Sequence, residues 1–200
     1  LLAPLADDPV LGPEAALLRG HVLYRARRFR EAADALERLA QDGWAIAAAR
    51  AGTTWQAIAI EAAAHGEDPA RAFRRAIAAF TAALAGHAER TNTRRMRALV
   101  IRLLAAATRA RGGDGRPGVA EALAEYDAIL AAHPEDLEAR VGRALAWAEA
   151  GMAADAQRED PRPAYARAHA ELSEVLARDP GHLVARGNRG QIGLGHADIS

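Results

Sequence analysis

Residues 119–147 read VAEALAEYDAILAAHPEDLEARVGRALAW, and the reading of this stretch decides the fold. Val119, Ala122, Leu123, Tyr126, Ile129 and Leu130 follow the i, i+3, i+4, i+7 spacing that gathers apolar side chains on one helix face. His133-Pro134 closes that helix and a second begins near Asp136. The same pattern of an apolar residue, Ala three later, a ring or Leu four after that and a further small or apolar residue recurs elsewhere. It stands as Phe29-Ala32-Leu36-Leu39, Phe73-Ala76-Phe80-Ala83 and Tyr165-Ala168-Leu172-Val175, in copies that begin 44, 46 and 46 residues apart. A two-helix unit cannot bury its apolar face alone, so such units stack and share a continuous core. Aromatics are only 4% of the residues and Ala is abundant. Helix axes are therefore expected to approach closely, with dispersion contacts between small side chains in place of bulky interdigitation.

The period extends beyond the second helices. Pro134 and Pro180 end helices 46 residues apart, and Trp55, Ile101 and Trp147 are spaced by 46 in the first helices. The Ala and ring positions of the second helices and their terminal prolines resemble those of the tetratricopeptide repeat. The resemblance covers most of residues 14–192. It implies an all-α fold, an α-solenoid of four antiparallel helix pairs in a right-handed superhelix, closed by a short C-terminal cap helix. The departure is the period, since that family repeats every ~34 residues. About 12 further residues per unit lengthen the first helix or the turn after it.

The predicted organisation is an extended arm over residues 1–12, a repeat domain over 13–181, and a cap helix with tail over 182–200. The arm holds Pro4 and Pro9, with Leu5, Val10 or Leu11 free to pack on the first unit. The four units span about 13–43, 44–87, 91–134 and 136–181. Pro13 suits a first helical turn, and Asp68-Pro69 caps and opens another. Gly86 stops the helix before it. The second helix of the third unit is expected from Val119, after the loop GGDGRPG, and Gly151 is expected to loosen the long helix of the fourth. The tail carries four glycines after residue 186, each costing roughly 1 kcal/mol of helix stability, and reads as a frayed cap or a unit cut short.

Composition narrows the function. Net charge is zero with 26% charged residues, which argues against a general role on nucleic acid or membrane surfaces. All 26 basic residues are Arg, a pattern of high-GC, bacterial coding sequence. Absence of Cys removes disulfides, thiolate metal sites and thiol catalysis. Leu1 in place of Met points to a processed or excised chain. Nothing in the sequence assigns a compartment or an oligomeric state.

No nucleotide, phosphate or metal motif is present. The loop GGDGRPG lacks a Lys and follows no strand, and Glu61 with His65 has no third ligand in view. His133 and His182 flank turns where a donor suits a helix C-terminus. No catalytic group and no cofactor is expected, and the chain reads as a non-enzyme. Charge says more: residues 89–116 carry eight Arg against two acids, while residues 119–138 carry six acids and no Arg. Arg95, Arg102 and Arg109 are seven apart and form one stripe. The plain reading is a solvated face, partly paired with Glu121 and Glu125 of the next helix. The functional reading rests on the resemblance, in which first helices line the ligand-facing side. Arg95, Arg102 and Arg109 then point into a groove with Val141 and Leu145 as its apolar wall. The partner would be a peptide or protein segment with an acidic or C-terminal carboxylate end, held by bidentate Arg contacts. The alternatives are a structural subunit of a larger assembly, such as one of the cell envelope, and the sensor portion of a larger regulator.

Overall fold

Good helix formers fill the long segments, and Pro, Gly and Asp mark where the chain turns. The computed structural model describes residues 12–85 and 90–197, with side chains to Ile192 at the C-terminal end. No strand occurs among the described residues, which form nine helices. These are α1 (Gly12–Arg25), α2 (Phe29–Gln41), α3 (Ala45–Ala64), α4 (Ala70–Leu84), α5 (Thr91–Ala110), α6 (Arg116–Ala132), α7 (Leu137–Ala156), α8 (Arg162–Arg178) and α9 (Leu183–Ala197). The helices α3, α5 and α7 are 20 residues each, and their first residues, 45, 91 and 137, are 46 apart. In these three pairs the first helix is thus a long one, as against 14 residues for α1. The expected arm over 1–12, the stop at Gly86 and the end of the tail at 198–200 lie outside the described residues, apart from Gly12, which opens α1.

Two compact units make up the chain, residues 1–100 and 101–200, so that α5 contributes to both. In the first, α1 to α4 are joined by short turns and pack in succession as helical hairpins. Leu36, Leu39, Ala47 and Ala51 form part of its core, with Leu17 and Trp44 against them. In the second, α6 to α9 pack in the same manner. Its core joins Val141, Ala144, Ala148, Ala168, Leu172 and Val175 to Ala185 and Ile192 of the last helix.

Close approach depends on small residues. A Cβ added at Gly142 would lie 2.4 Å from the Tyr126 ring, so only Gly lets α7 settle on α6 there. Gly66 and Gly112, in left-handed backbone with φ of 77° and 79°, end α3 and α5. Arg158 takes the same conformation after α7, with φ of 61°.

Phe73, Phe80, Ile101 and Tyr126 are buried, as their recurrent positions predict, and so is Trp55. Two expected core residues are only half-buried. Trp147 carries the Arg167 guanidinium on its ring, 4.4 Å from the centroid, and Tyr165 edges a cleft. Two local details also differ from expectation. The helix α6 starts at Arg116 rather than Val119, because the Asp114 carboxylate accepts from the Arg116 N–H at 3.0 Å and caps it. The helix α7 runs unbroken through Gly151, where the absent side chain leaves room for the Tyr165 ring. The expected C-terminal cap helix is present as α9, with Ala185 and Ile192 anchoring it in the core despite its glycines.

Candidate functional site

Tyr165, the half-buried ring, faces a cavity of about 360 Å³ in the second unit. Its walls come from alternate helices: Arg102 from α5, Leu145, Glu149 and Met152 from α7, and Asn188, Gln191 and Ile192 from α9. The period explains the geometry. Seven-residue spacing puts Arg102 and Arg109 on one face of α5, and Leu145, Glu149 and Met152 follow i, i+4, i+7 on α7. The result is a cleft with apolar side chains along α7 and polar ones at both flanks.

Arg102 is the cation in the wall of the cleft, and it shares a shielded Nε with Arg140 and Arg143. Its Nε is fully shielded from solvent and has no hydrogen-bond partner, while the guanidinium bonds the Tyr126 side chain. Burial pushes its pKa down, and Tyr126 and Glu149 oppose that push. An arginine stays charged regardless, so the site holds a poorly solvated cation. Arg109 is already engaged. Its Nε donates to Glu149 Oε1 at 2.6 Å and its Nη2 lies 3.3 Å from the Met152 sulfur. Glu149 is itself buried, and this contact holds the Arg109 pKa above its ordinary value. Tyr165 has its phenol pKa raised, first by burial and then by Asp155.

The sequence-predicted residues therefore separate. Arg102 and Leu145 line the cleft. Arg109 stands beside it as the partner of Glu149, not of Glu121 or Glu125 as the plain reading expected. Val141 is not a wall of the cleft. It is 4% exposed, in the core with Leu172 and Val175, because its position on α7 faces the hairpin partner. Arg95 belongs to the first unit, where its Nη2 donates to Asn92 Oδ1 at 3.0 Å. Sequence reasoning missed Glu149, Met152 and Tyr165. The first had a legible signal: an acid 40 residues after Arg109, six short of the 46-residue period.

Other candidates resolve into structure. Glu61 accepts from Arg27 Nη2 at 3.0 Å and the His65 ring bonds the Glu61 carbonyl, so neither is poised as a ligand. His133 does sit at a helix C-terminus, but His182 caps the helix that follows it, its Nδ1 accepting from the Ala185 N–H at 3.3 Å. No helix of the described residues is long and apolar enough to cross a membrane.

No family model and no curated protein matches the sequence. Solved structures do. A tetratricopeptide repeat protein from Parabacteroides merdae is similar over 93% of this chain, with a TM-score of 0.69 and 13% identity. The chain spans 59% of that protein's length. YrrB, a TPR protein with an unusual peptide-binding site, is similar over 98% of this chain and 84% of its own, with a TM-score of 0.62 and 16% identity. The fold is thus the all-α solenoid of tetratricopeptide repeat proteins.

Proposed function

We propose that the chain is a non-catalytic protein-interaction module whose second unit holds a peptide or protein segment in the cleft between α5, α7 and α9. The carrying observation is a cleft of about 360 Å³ with the poorly solvated Arg102 guanidinium in its wall. An arriving carboxylate would compensate its lost hydration, and a charge-assisted contact to a desolvated Arg is stronger than one in open water. Met152 is 41% exposed beside it and offers a pliable apolar surface for a neighbouring side chain. The ligand is therefore a segment with an acidic side chain or a C-terminal carboxylate next to an apolar residue. Arg109 and Glu149 cancel each other's charge, so Arg102 supplies the net attraction. YrrB, a similar fold, is a TPR protein with an unusual peptide-binding site, which supports the class of ligand.

The test is a library of short peptides presented with either free or amidated C-termini. Free-carboxylate or acidic members should be selected, and their affinity should fall as salt rises. Arg102→Gln should weaken the selected peptide at least tenfold with the helical spectrum unchanged. Selection indifferent to Arg102 and to terminal charge would refute the reading.

A further inference from the structure

Two tryptophans carry an arginine on the ring face, and one pair is a copy of the other. Trp147 and Arg167 stand 92 residues after Trp55 and Arg75, two periods of 46. The Arg75 guanidinium lies 3.9 Å from the Trp55 ring centroid, and that of Arg167 lies 4.4 Å from the Trp147 centroid. In the first unit a carboxylate completes the pair. Glu37 of α2 accepts from the Trp55 indole N–H with Oε1 and from Arg75 Nη2 with Oε2, both at 2.6 Å. A guanidinium stacked by its face keeps its N–H edge free to donate, so one carboxylate can join both donors. Trp55 is buried in this arrangement.

The second unit keeps the two donors and lacks the acid. Ile129, 2% exposed, takes the position of Glu37. Among the described residues the Trp147 indole N–H has no acceptor, and Arg167, which is exposed, has no ion pair. The acids of the same face are already engaged. Arg140, Arg143 and Trp147 follow i, i+3, i+7 on α7 and stand opposite Glu174, Glu171 and Arg167 of α8. Glu171 meets Arg140 with Oε2 and Arg143 with Oε1. Glu174 meets Arg140 with Oε2 and Arg178 with Oε1, and Asp127 meets Arg143. Three acids thus balance Arg140, Arg143 and Arg178, and Arg167 is the cation left over.

We infer that Trp147 and Arg167 form a receptor for a glutamate side chain of a partner protein, which takes the part that Glu37 plays inside the first unit. Its carboxylate would accept from the Trp147 indole N–H and from the Arg167 guanidinium, the second bond being charge-assisted on both sides. A half-buried ring under an exposed guanidinium is an open surface, suited to one group of a large partner, whereas a small molecule calls for an enclosing cavity. Trp and Arg are also the side chains that most often anchor protein interfaces. At 3.6 residues per turn Trp147 lies on the far side of α7 from Leu145 and Met152, so the receptor does not rest on the cleft around Arg102.

The probe is N-acetyl-L-glutamyl amide, whose only carboxylate is that of the side chain. It is titrated into the full 200-residue chain with the indole N–H signals of Trp44, Trp55 and Trp147 as NMR readout. The Trp147 signal should move downfield and saturate, while that of Trp55, already bonded to Glu37, stays in place. The glutaminyl analogue should bind at least tenfold more weakly, and R167Q should weaken the glutamyl probe at least tenfold. Ile129→Glu supplies the acid from within the chain: its Trp147 signal should start where the probe drives that of the parent, and the probe should no longer move it. Should that buried substitution unfold the chain, the parent and R167Q titrations still decide. A Trp147 signal that stays still, or moves equally with the glutaminyl analogue or in R167Q, overturns the proposal. So does a folded Ile129→Glu chain that binds the probe as the parent does. Glutarate bound at least tenfold more tightly than the probe would assign the site to a free dicarboxylate and likewise overturn it.

Discussion

The two units use the same hairpin for different interiors. In the first, Ala48 and Ala51 of α3 are buried and Ala79 of α4 lies against the same core. At the positions 92 residues later the second unit has Arg140, Arg143 and Glu171. These side chains are 11%, 20% and 16% exposed, and Asp127 completes the cluster by accepting from Arg143 at 2.8 Å. At these positions the first unit thus has a cleft of about 390 Å³ lined by small side chains, the second a shielded ion cluster. An alanine-lined cleft leaves no charge that needs a partner. A shielded cluster is conditional, since removing one member leaves the others charged and poorly hydrated.

Glu171→Ala should break this contrast most severely. It strips Arg143 of a shielded partner and leaves Arg140 with Glu174 alone, at a cost of about 3 kcal/mol in a denaturant or thermal melt. The triple replacement R140A/R143A/E171A restores the alanines of the first unit. It should cost less than Glu171→Ala alone, because no buried charge is left over. A triple variant less stable than the single one would mean that the space left by the three side chains costs more than the stranded charges do.

Gly142→Ala comes next. The new methyl would fall 2.4 Å from the Tyr126 ring, and moving that fully buried ring should cost about 1–3 kcal/mol. The sharpening control is Gly187→Ala on the open face of α9. With nothing to clash, it should stabilise by about 1 kcal/mol through helix propensity. Opposite signs for the same substitution, read in parallel melts, separate a covered helix face from an uncovered one.

Much of this was legible in sequence. The apolar period located the second helices, and the 46-residue spacing of Trp55, Ile101 and Trp147 carried over to the first helices. Phe80, Tyr126 and Ile101 went to the core because a ring or branched side chain at a recurrent position has nowhere else to be buried. The site was less legible, for a physical reason. A helical stripe gives the direction of a side chain but not what stands opposite it. Arg102 and Arg109 share a face, yet Arg109 meets Glu149 two helices away while Arg102 meets a cleft. Val141 was misplaced in the same way, since three apolar positions per two turns cannot say which neighbour each one faces.

Arg158 should reveal a smaller difference. The first unit ends α3 with Gly66, and α5 ends with Gly112, both at positive φ. Arg158 holds that place after α7, where a Cβ costs roughly 1 kcal/mol. Arg158→Gly should raise stability by about that amount, whereas Gly66→Ala and Gly112→Ala should lower it. Equal melts for all three would mean that the turn relaxes to suit whichever residue it holds.

The smallest effect concerns how the second helices begin. Asp68, Asp114 and Asp160 are 46 apart, and each accepts from the backbone N–H two residues on, at 3.0 Å in all three cases. In the first unit that residue is Ala70 and adds nothing further. In the second it is Arg116 or Arg162, whose Nε also donates to the same carboxylate, at 2.9 and 2.8 Å. The Arg116 side chain and N–H together hold the Asp114 carboxyl below the usual carboxylate range. A carboxyl depressed in the folded state adds stability above its unfolded pKa of about 3.9, and that contribution is lost as pH falls through the folded value. The group is exposed, so the effect on a melt should be slight and should shrink with salt. Titration of the side-chain carboxyl by carbon NMR is sensitive enough to see it. Asp114 should titrate lower than ordinary in the parent and move up in Arg116→Ala, while its bond to the backbone N–H keeps part of the depression. An unmoved midpoint in that variant would show that the backbone cap alone sets the value, and that the two units begin their second helices in the same way after all.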